Sequence, residues 1–328
     1  MVAILRIVGA LALSMLALAE DACSGEAWAQ TYPTRAIRLI VPFAAGGPTD
    51  VIARIVAQKL SETLGQQVVT ENIPGAGGNT GVAMVARAPA DGYTMLVVST
   101  GFIVNPSMYA KTPYDPIKDF APVTLVAASP NVISVNPEVP AKSMQELIAL
   151  VKANPGKYSF AQPATGSTPH LAGELFKQKY GLDLVTVPFN GAALAVNSTI
   201  GGHTPIAFTA LPPAMSNIKD GKLRGLAVLA TRRSAALPDV PTNAEAGVPD
   251  LESDTLTGIV APVGTPQDII ERWRGDIVTM VAAADVKQRL ETLGFAAVAN
   301  TPDEFGERIK VEIARWGKVV RDANIRGD

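Results

Sequence analysis

The 328-residue chain carries 28 Lys and Arg against 30 Asp and Glu, a formal net charge of −2, so it presents no basic field to attract nucleic acid. One cysteine (Cys23) and two histidines (His170 and His203) exclude a disulfide framework and leave too few ligands for a Cys/His metal centre. No Gly-Lys-Ser/Thr phosphate loop and no Gly-x-Ser-x-Gly elbow is present, and no cofactor is expected.

Arg6 is followed by an apolar run over residues 7–19 and then by Ala27-Trp28-Ala29, the pattern of a cleavable export signal. The run is short for a membrane span, and Glu20, Asp21 and Glu26 interrupt its extension into an anchor. Cleavage after Ala29 would release a periplasmic chain that begins at Gln30, lacks cysteine and is formally neutral. Glu20-Asp21-Ala22 does not suit a lipoprotein signal ahead of Cys23.

In chain order, the sequence predicts a strand at 37–41, a helix over 48–64 with Pro48 in its first turn and Gly65 as its stop, a strand at 67–71, a helix over 80–88 and a strand at 94–98. Further strands are expected at 123–127, 132–135, 159–161, 184–187, 205–208, 226–229 and 258–260. Helices are expected over 143–153, 169–179, 192–200, 266–284, 285–293 and 302–323, the last capped by Thr301 with Asp303 and Glu304 complementing its dipole. Alternation of strand and helix favours α/β layers with mostly parallel sheets, and the length favours two lobes. Proline-rich connections at 113–122, 137–140 and 238–249 are the natural boundaries.

Two early loops concentrate glycine: Phe43-Ala44-Ala45-Gly46-Gly47-Pro48-Thr49-Asp50 and Gly75-Ala76-Gly77-Gly78-Asn79-Thr80-Gly81. Each ends a strand and opens a helix, which aims bare backbone N–H groups at one edge of a parallel sheet. One such loop is equally well a tight turn, but the pair points to a shared carboxylate or phosphate site lined by Phe43, Gly46, Gly47, Thr49, Gly77 and Gly78. Gly75-Ala76-Gly77 imitates part of a dinucleotide fingerprint and departs from it at Thr80. Asp50 has two readings, support of the loop through backbone N–H bonds or direct contact with an ammonium group on the ligand. Thr100, in Ser99-Thr100-Gly101, and Asn105 bring hydroxyl and amide donors to the same edge, although Asn105 would also serve to cap a following helix.

Ala164-Thr165-Gly166-Ser167-Thr168-Pro169-His170 again joins a strand to a helix, so Thr165, Ser167, Thr168 and His170 are candidate contacts. A hydrolase reading makes Ser167 the nucleophile and His170 its base, but a serine three residues before a histidine is also an ordinary helix cap. Phe189 and Asn190 end one later strand and Thr209 another, and all three are expected to line the cleft. His203, in a Gly-Gly-His turn, reads as a surface residue.

These loops, with Pro113-Tyr114-Asp115-Pro116, Leu237-Pro238-Asp239-Val240-Pro241-Thr242, Glu245-Ala246-Gly247 and Trp316-Gly317-Lys318-Val319-Val320, resemble the Bug (TctC-like) family over nearly the whole mature chain. That family comprises the periplasmic solute-binding components of tripartite tricarboxylate transporters. The resemblance implies a two-lobed periplasmic-binding-protein-like α/β fold with mixed, mostly parallel sheets and a ligand cleft between the lobes. It maps residues 30–126 plus 251–328 to the first lobe and 127–250 to the second. It also implies a non-enzymatic, monomeric binder of a small di-, tri- or aromatic carboxylate, two membrane subunits as partners, and ligand roles for Thr100 and the 166–170 segment. Many members have aspartate where Thr209 stands, so the distal pocket differs here. Handing an occupied protein to a membrane sensor kinase would use the same cleft, and an exported hydrolase is the remote alternative.

Overall fold

Ile37, Leu39, Ile40 and Val41 are fully buried, which requires cover on both faces of their strand, as expected of a parallel α/β layer. The computed structural model describes residues 32–327; the export signal at 1–29, its cut after Ala29 and Cys23 lie outside the described residues.

Strand β1 (Ile37–Val41) pairs in parallel with β2 (Val68–Asn72) on one side and β3 (Thr94–Val98) on the other. The crossovers are α1 (Pro48–Leu64) and α2 (Asn79–Ala86). Helix α1 starts at Pro48, buries Ile52, Ile55, Val56 and Leu60 on one face, and stops where Gly65 takes the left-handed conformation. Helix α3 (Thr100–Met108), which the sequence reading did not anticipate, follows β3. Pro106 lies inside it and cannot donate to the Phe102 carbonyl; the Tyr114 hydroxyl donates there instead, at 3.3 Å. Asn105 is therefore an interior residue of α3, and its expected role as cap of a later helix is corrected.

The strands expected at 123–127 and 132–135 are one long strand, β4 (Phe120–Val135). Strand β4 runs through Pro122 and Pro130 and changes partners. It pairs antiparallel with β9 (Asp254–Pro262) up to Pro130, and from Asn131 with β7 (Ile206–Ala210) and, from Val132, β8 (Arg224–Val228). Pro130 thus stands at the end of one ladder, where a missing N–H costs least. Beyond β7, β5 (Ser159–Gln162) and β6 (Val185–Pro188) continue the sheet in parallel, and the short β10 (Ala296–Ala297) pairs with β4. Strand order is β2-β1-β3-β9-β4-β7-β5-β6. Among the named strands, parallel pairing is confined to β2-β1-β3 and β7-β5-β6, and the strands that join these groups are antiparallel.

The remaining helices are α4 (Met144–Lys152), α5 (Thr168–Tyr180), α6 (Ala192–Ile200), α7 (Leu211–Lys219), α8 (Gln267–Ala282), α9 (Ala284–Thr292) and α10 (Pro302–Asp322). Helix α7 was also unanticipated; its Pro212 and Pro213 sit in the first turn, where proline is tolerated. Helix α10 opens with the expected Thr301, in a reciprocal capping box with Glu304. Separate apolar clusters form on the two sides of the partner change: one around Phe102, Phe305 and Trp316, the other around Phe160, Phe176 and Phe208.

A polar chain crosses at that point. The Asn131 side-chain amide donates to the Ser253 hydroxyl at 2.6 Å, Thr255 donates to the Asn131 Oδ1 at 3.2 Å, and the Thr255 and Thr168 hydroxyls meet at 2.9 Å. Thr168, read from sequence as a cleft residue, is 2 % exposed and takes part in this chain.

Candidate functional site

The first glycine loop leaves β1 at Pro42 and re-enters helix at Pro48. Gly46 has φ +84°, which only glycine adopts readily, and its N–H donates to Asp50 Oδ2 at 2.8 Å. The same carboxylate accepts from Arg54 Nε at 2.9 Å and, through Oδ1, from Asn72 Nδ2 at 2.8 Å. Asn72 also donates to the Phe43 carbonyl at 3.1 Å and accepts from Arg54 at 3.1 Å. Burial works to raise the Asp50 pKa, but the bonds from Arg54, Gly46 and Asn72 outweigh it and hold the carboxyl below its usual value. Asp50 is 2 % exposed, so the geometry gives it the loop-supporting role. Arg54, the cation nearest the loop in sequence, is engaged by Asp50 and Asn72.

The second loop lies against the first. A Cβ on Gly78, whose φ is +98°, would stand 3.4 Å from the Pro42 carbonyl and 3.5 Å from the Phe43 ring. Gly77 (φ +64°) is held by Asn105, whose side-chain amide donates to the Gly77 carbonyl at 2.9 Å and to Asn79 Oδ1 at 2.8 Å. Thr100, in the first turn of α3, is 5 % exposed, and its hydroxyl has no hydrogen-bond partner among the described residues.

In the second half of the chain, Ser167 caps α5: its hydroxyl accepts from the His170 N–H at 3.4 Å and donates to the Ala164 carbonyl at 2.7 Å. His170 Nδ1 accepts from the Gly166 N–H at 3.0 Å, which leaves the ring proton on Nε2, 3.8 Å from Glu174. Burial drives the His170 pKa down to about 4 against the opposing pull of Glu174. Ser167 and His170 are thus a cap and a loop brace; the Nδ1 lone pair accepts from the Gly166 N–H and Nε2 lies beside Glu174, so neither ring nitrogen is bonded to the Ser167 hydroxyl as the hydrolase reading needed. Thr165 is exposed at the loop tip. The next loop runs alongside, with Phe189 N donating to the Gln162 carbonyl at 2.9 Å and Gly191 N to the Pro163 carbonyl at 2.8 Å. Asn190 is exposed between them, and Phe189 is half-buried over Ala161, Ala195 and Ala207. Thr209 lies within β7, fully buried beside Val132, and its hydroxyl has no hydrogen-bond partner among the described residues.

Helix α3 links the two halves. Its Met108 packs on Gly166 so closely that a Cβ there would stand 2.2 Å from the sulfur. The structure therefore brings together the loops of Phe43, Gly46, Gly47, Thr49, Gly77, Gly78 and Thr100, and joins them through Met108 to the loops of Thr165, Ser167, His170, Phe189 and Asn190. Thr209 stays inside the sheet. Helices α1, α2 and α6 begin at Gly47, Gly78 and Gly191 with no side-chain cap, in contrast to α4, α5 and α10, which are capped by Ser143, Ser167 and Thr301. Uncapped first turns keep N–H groups and the positive end of the dipole available to an anion in α1 and α6, whereas at the start of α2 the N–H groups of Gly78, Asn79 and Thr80 are already donated to the Gly75 and Ala76 carbonyls. Among the described residues, no three His, Asp, Glu or Cys side chains gather as a metal site would require, and no helix is long and apolar enough to cross a membrane.

The family model described as tripartite tricarboxylate transporter family receptor matches residues 52–325. The chain belongs to this family. Among the relatives of this receptor-family member, protein BugT of Bordetella pertussis is 38 % identical over 300 residues, covering 91 % of this chain and 92 % of its own. An R. palustris protein solved with adipate superposes with a TM-score of 0.80 at 35 % identity, covering 90 % of this chain and 99 % of its own. MatC from Rhodopseudomonas palustris, solved with bound malate, gives 0.76 at 31 % identity, covering 88 % and 100 %. The fold is that of a periplasmic solute-binding protein of the TctC/Bug type, a family of substrate-binding proteins.

The supporting residues were harder to read from sequence than the glycines. Arg54 lies four residues after Asp50, a helical ion-pair spacing that was legible in principle. Asn72 and Met108 reach the site through tertiary contacts, for which the sequence carries no local signal.

Proposed function

We propose that this family member captures a small carboxylate outside the cytoplasm and presents it to the two membrane subunits of a tripartite transporter. The observation that carries this reading is the glycine-led, uncapped start of α1 at Gly47, with the second glycine loop packed against its approach at Gly78, beside a guanidinium already neutralised by Asp50. Such a site grips an anion through backbone N–H groups, hydroxyls and bridging waters rather than through an arginine clamp. The ligands solved with two relatives, adipate and malate, are both dicarboxylates. The same residues then supply both specificity for charge and a reversible, non-covalent hold.

The export signal at 1–29 belongs to this reading, as does the division into a lobe of residues 30–126 plus 251–328 and a lobe of residues 127–250. The partner change of β4 and the polar chain of Asn131, Ser253 and Thr255 support a hinge close to those boundaries. Mass spectrometry of ligand released from the purified, denatured protein tests the function. A di-, tri- or aromatic carboxylate is expected. A preparation that releases none, and then fails to bind a panel of such acids by calorimetry, would remove the reading.

A further inference from the structure

A groove of about 820 Å³ opens beside the partner change of β4 and takes in Pro130. It is lined on one side by Met215 and Lys219 of α7 and by the 230–236 segment that follows β8, and on the other by Lys287 and Glu291 of α9 and by β10. The two sides meet where a Cβ on Gly294 would stand 3.2 Å from the Pro212 ring. They fall on opposite sides of the proposed lobe boundary, and the groove shares no residue with the glycine loops.

Its charge is lopsided. Lys219, Arg232 and Lys287 are exposed along it against one acid, Glu291, in a chain whose total charge is close to zero. Neighbouring cations are engaged: Arg233 holds Glu245 at 2.8 Å and Lys222 holds Asp220 at 3.5 Å. Among the described residues, Lys219, Arg232 and Lys287 pair with no carboxylate. A second observation concerns the backbone. Val298 N donates to the Val126 carbonyl at 3.1 Å, and Ala297 stands opposite Ala127, which is itself abreast of Thr257 on β9. Bonded and non-bonded pairs alternate along an antiparallel ladder, so Ala297 turns its N–H and carbonyl away from β4. An open strand edge of this kind is a template for another chain.

We propose that this groove docks an extended acidic segment of a partner protein, which adds to the open edge of β10 while its carboxylates pair with Lys219, Arg232 and Lys287. The backbone bonds would give such a segment its hold and the alternate side chains its specificity. A concave groove does not admit a flat lipid surface, and the apolar surface of Met215, Ala230 and Ala236 does not suit a small hydrated anion. The partner is identified as a membrane subunit of the transporter, and in that respect the inference rests on the transport reading above. A subunit that must tell a closed binding protein from an open one finds here a surface whose two sides belong to different proposed lobes.

Calorimetry with a blocked six-residue peptide of alternating valine and glutamate tests the docking, with its lysine counterpart and its fully N-methylated form as controls. Wild type is expected to bind the glutamate peptide at least tenfold more tightly than either control. The triple variant Lys219→Glu, Arg232→Glu and Lys287→Glu, changed only at exposed positions, should lose that binding by tenfold or more and keep its carboxylate affinity within twofold. Cells that carry this variant in place of the wild-type gene, at equal protein level, should take up that carboxylate no faster than a deletion strain. Binding of the glutamate and lysine peptides alike, or of neither, overturns the proposal. An N-methylated peptide or pyrophosphate that binds as well as the glutamate peptide also overturns it, since the site then takes small or unpaired anions. Wild-type uptake by the triple variant overturns it and leaves the transport reading standing. Uptake that is the same in wild-type and deletion strains overturns both.

Discussion

The Gly46 N–H donates to the Asp50 carboxylate at 2.8 Å, so the backbone of the first glycine loop is shaped by an acid buried behind it. The negative charge is matched by Arg54 on the far side, and the loop retains its outward N–H groups. Asp50→Ala should therefore destabilise the protein by about 2 kcal/mol, the cost of leaving buried donors unpaired, and weaken ligand binding as the loop relaxes. Chemical denaturation and calorimetry on the one variant check both. Arg54→Ala should be milder, because Asp50 keeps its bonds to Gly46 and Asn72.

His170 makes the fold sensitive to mild acid. Its folded pKa, about 4, lies below the ordinary value of 6.5, so between those limits the unfolded chain binds a proton that the folded one refuses. Its stability contribution is intact above pH 6.5 and is lost as pH falls toward 4, by roughly 3 kcal/mol in all. His170→Asn, whose Oδ1 can accept from Gly166 as Nδ1 does, should flatten the pH dependence of the denaturation midpoint in that window. Asp50, also depressed, adds loss only at lower pH, below the ordinary carboxylate range.

Met108 and Gly166 should be energetically coupled. A methyl at Gly166 collides with the Met108 thioether and also forces a side chain onto φ +77°. Gly166→Ala is expected to weaken binding by several fold, and Met108→Ala in the same chain should recover the part due to collision. A double-mutant cycle with a coupling above about 0.5 kcal/mol is the expected result for residues in contact.

The parts of the fold legible in the sequence were those with local causes. Strand β1, helix α1 with its Gly65 stop and the Thr301 cap all follow from apolar spacing and terminal residues. The elements not anticipated contain prolines that their surroundings accommodate: Pro130 at the β4 partner change, Pro106 where Tyr114 supplies the missing donor, and Pro212 and Pro213 in a first turn. The glycine loops were legible because backbone approach demands glycine whatever surrounds it. The brace of Asn72 was not, since it depends on what a distant strand brings beside it.

Ligand should also shift the balance between open and closed arrangements of the proposed lobes in proportion to its preference for the closed one. Small-angle scattering with and without saturating carboxylate should show compaction; an unchanged profile would indicate a rigid cleft.

The most direct test of the backbone grip is the affinity of Gly47→Val for a carboxylate that wild type binds. Gly47 has an ordinary extended conformation (φ −76°, ψ 167°), and a Cβ there would meet nothing closer than the Ala44 carbonyl at 3.8 Å. The substitution should therefore cost the fold about 1 kcal/mol or less, with circular dichroism unchanged, while blocking the approach of an anion to the start of α1. Binding should weaken by well over tenfold, and no single Lys→Ala or Arg→Ala change should do as much. Wild-type affinity in a folded Gly47→Val protein, together with its abolition by loss of one cationic side chain, would contradict the account and identify an ion-pair clamp in its place.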